Sequence, residues 1–146
     1  MRLDLYHAEC IRIADEQMAL LDEAKQRIQS GAQLTKLEQS GVLHAFQILT
    51  GNAMGKSKHM LKSASRAVPV LAYDAFASLE QQGEISLEAL QQWNSTIGLR
   101  NRIVHDYMNI DMQLIYELII NDRHQFIAMF LRQPISLDPI NKMGAQ

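Results

Sequence analysis

The stretch YHAECIRIADEQMALLDEAKQRI, residues 6 to 28, carries the pattern that decides the fold. Its apolar residues recur every three or four positions, as they do on one face of an α-helix, and Gly31 can end that helix. The members of this face are Tyr6, Cys10, Ala14, Met18, Leu21, Ala24 and Ile28. A long helix with one apolar face needs other elements to cover it, so the stretch predicts a multi-element helical core.

Helical spacing continues along the chain, and no convincing stretch alternates apolar and polar residues as a strand would. The spacing predicts a second helix from Leu34 and Leu37 to about Ala64. A short third helix is predicted between Pro69, which can start a helix, and Gly83. We expect Ser86 to cap a fourth helix, whose buried face contains Leu90, Trp93, Ile97 and Val104.

A last helix is predicted from Asp111 until Pro134. The sequence therefore predicts an all-α bundle of four or five helices over residues 1 to 133. Residues 134 to 146 contain two prolines and little apolar pattern, so we expect an extended or flexible tail there.

Length and composition limit the kind of protein. The 146 residues are 47% hydrophobic and carry a formal net charge of −2, which is typical of one globular domain. The single cysteine, Cys10, excludes an intrachain disulfide and a Cys-rich zinc site. No signal-peptide core and no apolar run of about 20 residues occurs in the sequence, so we expect a cytoplasmic protein without a membrane span.

Basic residues are concentrated in one segment. No acidic residue lies between Glu38 and Asp74, whereas Lys58, Lys62 and Arg66 follow one another at four-residue spacing. On a helix they would form a single basic ridge, which would suit a polyanion such as RNA. A solvated helix face without a ligand is an equally good interpretation of the same spacing.

Several common functional motifs are absent. The stretch GNAMGKS, residues 51 to 57, has three residues between its glycines, whereas a phosphate-binding loop needs four. The five histidines are scattered, only Asp4 and His7 have carboxylate–histidine spacing, and two ligands do not make a metal site. We therefore expect no metal and no cofactor. Four of the histidines are predicted to be surface or boundary residues, and only His105 lies among many polar groups.

That polar group is RNRIVHDY, residues 100 to 107. On a straight helix Arg100 and Tyr107 lie within about 20° of each other, whereas Arg100 and His105 are roughly 140° apart. Asn101 and His105 share a ridge and could form a hydrogen bond. Either the helix unwinds near Asp106, or a second copy of the chain completes the site across a two-fold axis. We favour the homodimer, because it places two arginines and two histidines in one cleft.

Such a cleft fits metal-independent cleavage of RNA. Attack of a ribose 2′-hydroxyl on the adjacent phosphate needs a base, an acid and a cation. Histidine can exchange protons near neutral pH, and arginine can bind phosphate oxygens through its planar fork, so His105 and Arg100 are the predicted catalytic residues. Asn101, Asp106 and Tyr107 are predicted to support them, and Arg102 joins Lys58, Lys62 and Arg66 as a predicted RNA-binding residue.

Purely structural roles also fit this cluster. Arg100 could pair with a carboxylate of another helix, Tyr107 could be a half-buried packing residue, and His105 could cap the end of its helix. The residues alone leave these roles and RNA chemistry equally open.

The stretch GLRNRIVHDY, residues 98 to 107, resembles the R-x4-H-x-Y signature of HEPN domains, in particular of HepT toxins from HEPN/MNT toxin–antitoxin pairs. The likeness extends from about residue 3 to residue 133, mostly in pattern and length. It implies a helical, homodimeric, metal-independent endoribonuclease with Arg100 and His105 in a cleft between protomers. It also implies a nucleotidyltransferase antitoxin of the MNT type as partner, which transfers AMP from ATP to Tyr107.

Two other functions fit the sequence less completely. A non-catalytic subunit could present a nucleotide or substrate to a nucleotidyltransferase by means of the same bundle and the basic residues. A plain helical dimerisation module would leave the polar cluster without a role. The intact set of Arg100, His105 and Tyr107 favours the ribonuclease toxin.

Overall fold

The structure is a computed structural model that describes residues 3 to 135. These residues form six α-helices and one short 3₁₀ helix, without a strand among them, which confirms the all-α prediction. The helices are α1 (Leu3–Gln29), α2 (Lys36–Ser63), α3 (Ala72–Gln81), α4 (Leu87–His105), α5 (Met112–Ile120) and α6 (His124–Arg132). The 3₁₀ helix spans Tyr107–Asn109. The predicted tail lies outside the described residues from position 136 onward.

Caps and glycines bound the first helices, and Gly31 and Ser86 do so as predicted. Gly31 follows α1 with φ +88°, a conformation that glycine adopts without a steric penalty. Before α2, the Thr35 hydroxyl accepts a hydrogen bond from the Glu38 amide, while the Glu38 carboxylate accepts one from the Thr35 amide. The Ser86 side chain caps α4. Pro69 does not start α3, which begins three residues later at Ala72.

The predicted last helix is divided into α5 and α6, which is why the chain has more helices than expected. Asp122 adopts φ +56°, a conformation that Asp tolerates better than most residues, and its carboxylate accepts a 2.8 Å hydrogen bond from Lys25 of α1. The Arg123 amide closes the end of α5 by donating to the Leu118 carbonyl at 2.9 Å. Ile119 and Phe126 are seven positions apart and stay in helical phase, so the prediction continued one helix through the polar residues 121 to 125 that contain this turn.

The core lies between the two long helices and the elements that cover them. The first helix packs against α2, α5 and α6, while α3 and α4 cover another side of α2. Trp93 of α4 stacks on Phe76 of α3, with ring centroids 4.4 Å apart, and also contacts Phe126 and Phe130 of α6. No helix formed by residues 3 to 135 combines the length and apolar character needed to cross a membrane.

The buried face of α4 differs from the prediction near its end. Trp93 and Ile97 are buried as expected, but Val104 is 39% exposed while Ile103 is 2% exposed. Ile103 lines the same small interior cavity as Phe46 of α2 and Ile127 of α6, so α4 turns this side chain, and not its neighbour Val104, toward the core. At the start of the second helix, Leu37 lies in α2 as predicted and is 82% exposed, whereas Leu34 precedes the helix and is buried.

Lys56 is a buried residue of α2 and is not part of a basic surface. Its side chain is 0% exposed, and Nζ donates to the carbonyl oxygens of Phe130 at 2.5 Å, Leu131 at 3.4 Å and Gln133. These carbonyls lie at the C-terminal end of α6, where the last carbonyls of a helix lack the usual intrahelical donors, and Phe130 O also accepts a 3.4 Å hydrogen bond from the Gln133 amide. The ammonium group therefore caps α6 from inside the bundle, and burial lowers the pKa of Lys56 to about 8.

Candidate functional site

The signature stretch occupies the end of α4 and the turn that follows. The helix ends at His105, Asp106 takes up a non-helical conformation with φ −140° and ψ 43°, and Tyr107 begins the 3₁₀ helix. The Asp106 carboxylate accepts a 2.7 Å hydrogen bond from the Asn109 side chain. The helix thus unwinds at Asp106, which is one of the two arrangements that the sequence left open.

Arg100 points into the protein from the middle of this segment. It is partly buried, and its Nε is buried without a hydrogen-bond partner among residues 3 to 135. The guanidinium lines a cavity of about 50 Å³ together with Thr50, Thr96 and Arg123. No carboxylate of the described residues pairs with it. The alternative structural role for Arg100, an ion pair with another helix, is therefore not found in this part of the chain.

His105 lies apart from Arg100 within a single chain. It is an exposed residue, and it does not line the cavity that Arg100 lines. Asn101 was expected to hold the His105 ring, but its Oδ1 accepts a 3.3 Å hydrogen bond from Arg100 Nη1. The separation of Arg100 and His105 agrees with their angular positions on the helix.

The hydroxyl group of Tyr107 contacts α2. It donates a 2.7 Å hydrogen bond to Ser40 Oγ, and the Tyr107 side chain is 44% exposed. This tyrosine is therefore half packed and half accessible. Ser40 precedes Tyr107 by 67 positions, and no local pattern in the sequence could have indicated the contact.

The basic ridge predicted on α2 is not continuous. The helix ends at Ser63, and Ser65 has φ +57°, so Arg66 is not at helical spacing from Lys62. Lys58 Nζ donates a hydrogen bond to the Val70 carbonyl at 2.5 Å, which links α2 to the segment before α3. The prediction of one ridge is wrong because Arg66 lies beyond α2, which ends at Ser63, close to its predicted end at about Ala64. The contact of Lys58, Lys62 and Arg66 with RNA stays a prediction.

The other histidines have varied surroundings. His124 is 0% exposed, so its prediction as a surface or boundary residue is wrong, and burial lowers its pKa. The ring of His59 stacks on Tyr6, with centroids 3.9 Å apart. Within residues 3 to 135, no group of three or more His, Cys, Asp or Glu side chains is arranged to hold a metal ion.

Two further arginines surround the position of Arg100. Arg102, which the sequence indicated, is exposed and lines a cavity of about 390 Å³ with Ser95 and Leu114. Arg123, which the sequence did not indicate, lines the cavity of Arg100 and a larger one of about 560 Å³. The sequence did not indicate Arg123 because this residue lies in the turn between α5 and α6, where the prediction had one continuous helix.

Comparisons with known proteins place the chain in a family. A family model described as Ribonuclease HepT-like matches residues 14–132. The chain therefore belongs to the HepT-like ribonuclease family, which confirms the resemblance seen in GLRNRIVHDY. A comparison with curated protein sequences finds no match.

Solved structures with the same fold come from toxin–antitoxin pairs. A crystal structure of a toxin–antitoxin with AMP-PNP superposes with a TM-score of 0.64 at 20% identity, covering 82% of this chain and 95% of that chain. A tri-AMPylated HEPN toxin of Shewanella oneidensis in complex with an MNT antitoxin has a TM-score of 0.62 at 19% identity, over 92% and 98% of the two chains. A mutant of the toxin–antitoxin MntA-HpeT gives 0.62 at 18% identity, over 92% and 99%. These likenesses establish an HEPN fold.

Proposed function

We propose that this HepT-like ribonuclease is a metal-independent endoribonuclease toxin that acts as a homodimer and is neutralised by an MNT-type nucleotidyltransferase. The observation that carries the proposal is the grouping of Arg100, His105 and Tyr107 at the end of α4 in a family of ribonucleases. Each of the three has a functional group that the fold does not consume in an ion pair.

The proposed reaction is transfer of the RNA phosphate to its neighbouring 2′-hydroxyl. The 2′-oxygen forms a bond to phosphorus, the bond to the 5′-oxygen breaks, and one proton leaves the attacking oxygen while another reaches the departing one. Arg100, which has no carboxylate partner among residues 3 to 135, would neutralise charge on the phosphate oxygens. His105, exposed to solvent, would move a proton. Asn101 would support Arg100 through their 3.3 Å hydrogen bond, and Asp106 would support the turn after His105 through its hydrogen bond with Asn109.

A second copy of the chain would bring a histidine to the arginine. Apolar side chains near the signature support such contact, since Val104 is 39% and Met108 88% exposed. Burial of these groups against a partner would be favourable, because each removes apolar surface from water. A two-fold interface there would place both copies of α4 at one cleft.

Control by the partner would act at Tyr107. The phenolic oxygen would attack the α-phosphorus of ATP, pyrophosphate would leave, and the phenolic proton would be lost, which places AMP on the tyrosine. The hydroxyl must leave Ser40 for this step, and its 44% exposed side chain is accessible to an enzyme. The added phosphodiester is negative and would repel the RNA phosphate from Arg100.

The proposal is tested by cleavage of total RNA and by growth inhibition with His105→Ala and Arg100→Ala. Both variants should fold and dimerise but lose cleavage and toxicity. The matched control is His44→Ala, which changes an exposed histidine of α2 far along the chain from the signature and should keep full activity. If the His105 and Arg100 variants remain toxic, the assignment of the site is wrong. A wild-type protein that only binds nucleotide and cuts no RNA would support a binding subunit.

A further inference from the structure

Arginine side chains are used differently on two sides of the protein. On the α1 side they are neutralised: Arg27 pairs with Glu38 at 2.8 Å, Arg132 pairs with Asp15 at 2.9 Å, and Arg12 pairs with two glutamates. Among residues 3 to 135, Arg66 after α2 and three arginines near the end of α4 and the start of α6 have no carboxylate partner. Those three are Arg100, Arg102 and Arg123.

The three unpaired arginines line one connected surface. Cavities of about 50, 390 and 560 Å³ adjoin one another, because all three are lined by Thr96 of α4 and Leu118 of α5. Arg100 and Arg123 share the smallest cavity, Arg102 lines the middle one, and Arg123 also lines the largest. We call this surface the α4–α5 groove. The largest of its cavities falls in the size range of a pocket for a small ligand.

The turn before α6 presents Arg123 in a fixed position and leaves its charge free. Asp122, the adjacent acid, is occupied by Lys25, and this contact also lowers the pKa of the Asp122 carboxyl. The Arg123 amide is held by the Leu118 carbonyl. A free Asp122 carboxylate could otherwise neutralise the charge of Arg123. The Lys25 contact therefore helps to keep Arg123 available for an anion in the groove.

We infer that the α4–α5 groove binds the RNA backbone, with Arg123 and Arg102 holding phosphates that adjoin the one at Arg100. This inference rests on the proposed function and extends it, because Arg123 lies outside the signature. Guanidinium groups bind phosphate through paired, charge-assisted hydrogen bonds. The largest cavity is also lined by Phe126 and Glu88. An aromatic ring can stack on a base and a carboxylate repels phosphate, so the part of the groove near Glu88 suits a base better than a phosphate.

The test measures binding of a short single-stranded 2′-O-methyl oligonucleotide, which lacks the attacking hydroxyl and cannot be cleaved. Fluorescence anisotropy should show that Arg123→Gln weakens binding by roughly tenfold or more, the usual value of a charged hydrogen bond. The slope of log affinity against log salt should become shallower by about 0.7 for each phosphate that the variant no longer neutralises. Arg123→Lys keeps the charge and should recover part of the affinity.

The control is Arg132→Gln, which removes the same charge from the other end of α6. Its ion pair with Asp15 is largely exposed and adds little stability. If Arg132→Gln weakens binding as much as Arg123→Gln, the loss of affinity reflects the net charge of the protein and not a contact in the groove, and the groove assignment is wrong. If Arg123→Gln instead disrupts the dimer or the complex with the antitoxin while RNA affinity is unchanged, the groove is a protein interface and the inference fails.

The outcomes separate this inference from the proposed function. A wild-type protein that cleaves RNA, together with an Arg123→Gln variant of unchanged affinity, would overturn the groove and leave the ribonuclease proposal standing. A wild-type protein that binds the oligonucleotide through Arg123 but cleaves no RNA would retain the groove and overturn the proposed catalysis.

Discussion

Replacement of Lys56 by methionine changes a charge that the fold buries completely. Methionine has a similar length and no charge, so Lys56→Met removes the hydrogen bonds to the last carbonyls of α6 while keeping most of the packing. The variant loses the internal cap of α6, but it also loses the cost of burying an ammonium group. These two effects oppose each other, so the dependence of stability on pH is the sharper test.

The sign of that dependence follows from the pKa of Lys56, which burial lowers from 10.5 to about 8. Between those values the unfolded chain binds more protons than the folded chain, so stability rises with pH. From pH 7 to pH 9 this group should add at most about 1.3 kcal/mol to the free energy of unfolding. The carbonyl contacts favour the ammonium group, which makes this figure an upper value.

The assay is urea unfolding at several pH values, followed by the fluorescence of Trp93, the single and buried tryptophan. The difference in free energy of unfolding between wild type and Lys56→Met should grow in favour of wild type as pH rises from 7 to 9. Lys36→Met, at an exposed lysine of α2, is the control and should show the wild-type dependence. Identical pH profiles for wild type and Lys56→Met would refute the reasoning.

Two other perturbations test the packing around the signature. Ile103→Ala should lower the free energy of unfolding by about 2–4 kcal/mol, whereas Val104→Ala should change it by less than about 1 kcal/mol, and urea unfolding would contradict the assigned burial if the order were reversed. Ser40→Ala removes the acceptor of the Tyr107 hydroxyl, so AMP transfer to Tyr107 by the partner should proceed at least as fast as in wild type. A large loss of AMP transfer, measured by intact mass over time, would mean that Ser40 assists the reaction.

Local signals in the sequence predicted much of the fold. Gly31 and Ser86 mark helix ends through backbone chemistry that involves only near neighbours. The Thr35 capping box is equally local, although the prediction placed the start of the second helix at Leu34. The periodic apolar residues of α1 and α2 likewise identify their buried faces. These features depend on a few adjacent residues, and that is why they can be recognised without a structure.

Other features depend on contacts between distant segments. Ile103 is buried in place of Val104 and lines a cavity with Phe46 and Ile127, which belong to distant helices. Periodicity alone assigns both α4 residues to plausible faces. Lys56 looks like a surface charge in the sequence, because its acceptors lie 74 to 77 positions away. The turn at Asp122 falls within five polar residues, 121 to 125, but Ile119 and Phe126 on either side stay in helical phase, so apolar periodicity does not mark it.

The candidate site shows the same division. The sequence indicated Arg100, His105 and Tyr107 from one short stretch, and it also indicated that a straight helix cannot aim Arg100 and His105 at one point. It could not indicate Ser40 or Arg123, which join the neighbourhood of the signature only through the fold. A site assembled from one helix end is therefore visible in sequence, while the surfaces that extend it are not.

The central claim is that AMP on Tyr107 controls an RNA-cleaving site. The most direct measurement is the intact mass of the protein produced alone and after co-expression with an MNT-type nucleotidyltransferase, followed by peptide mapping and an RNA cleavage assay. We expect one or more additions of about 329 Da on Tyr107, only with the partner, together with loss of cleavage. An unmodified Tyr107 in a stable complex, with no cleavage by the free protein, would contradict the claim.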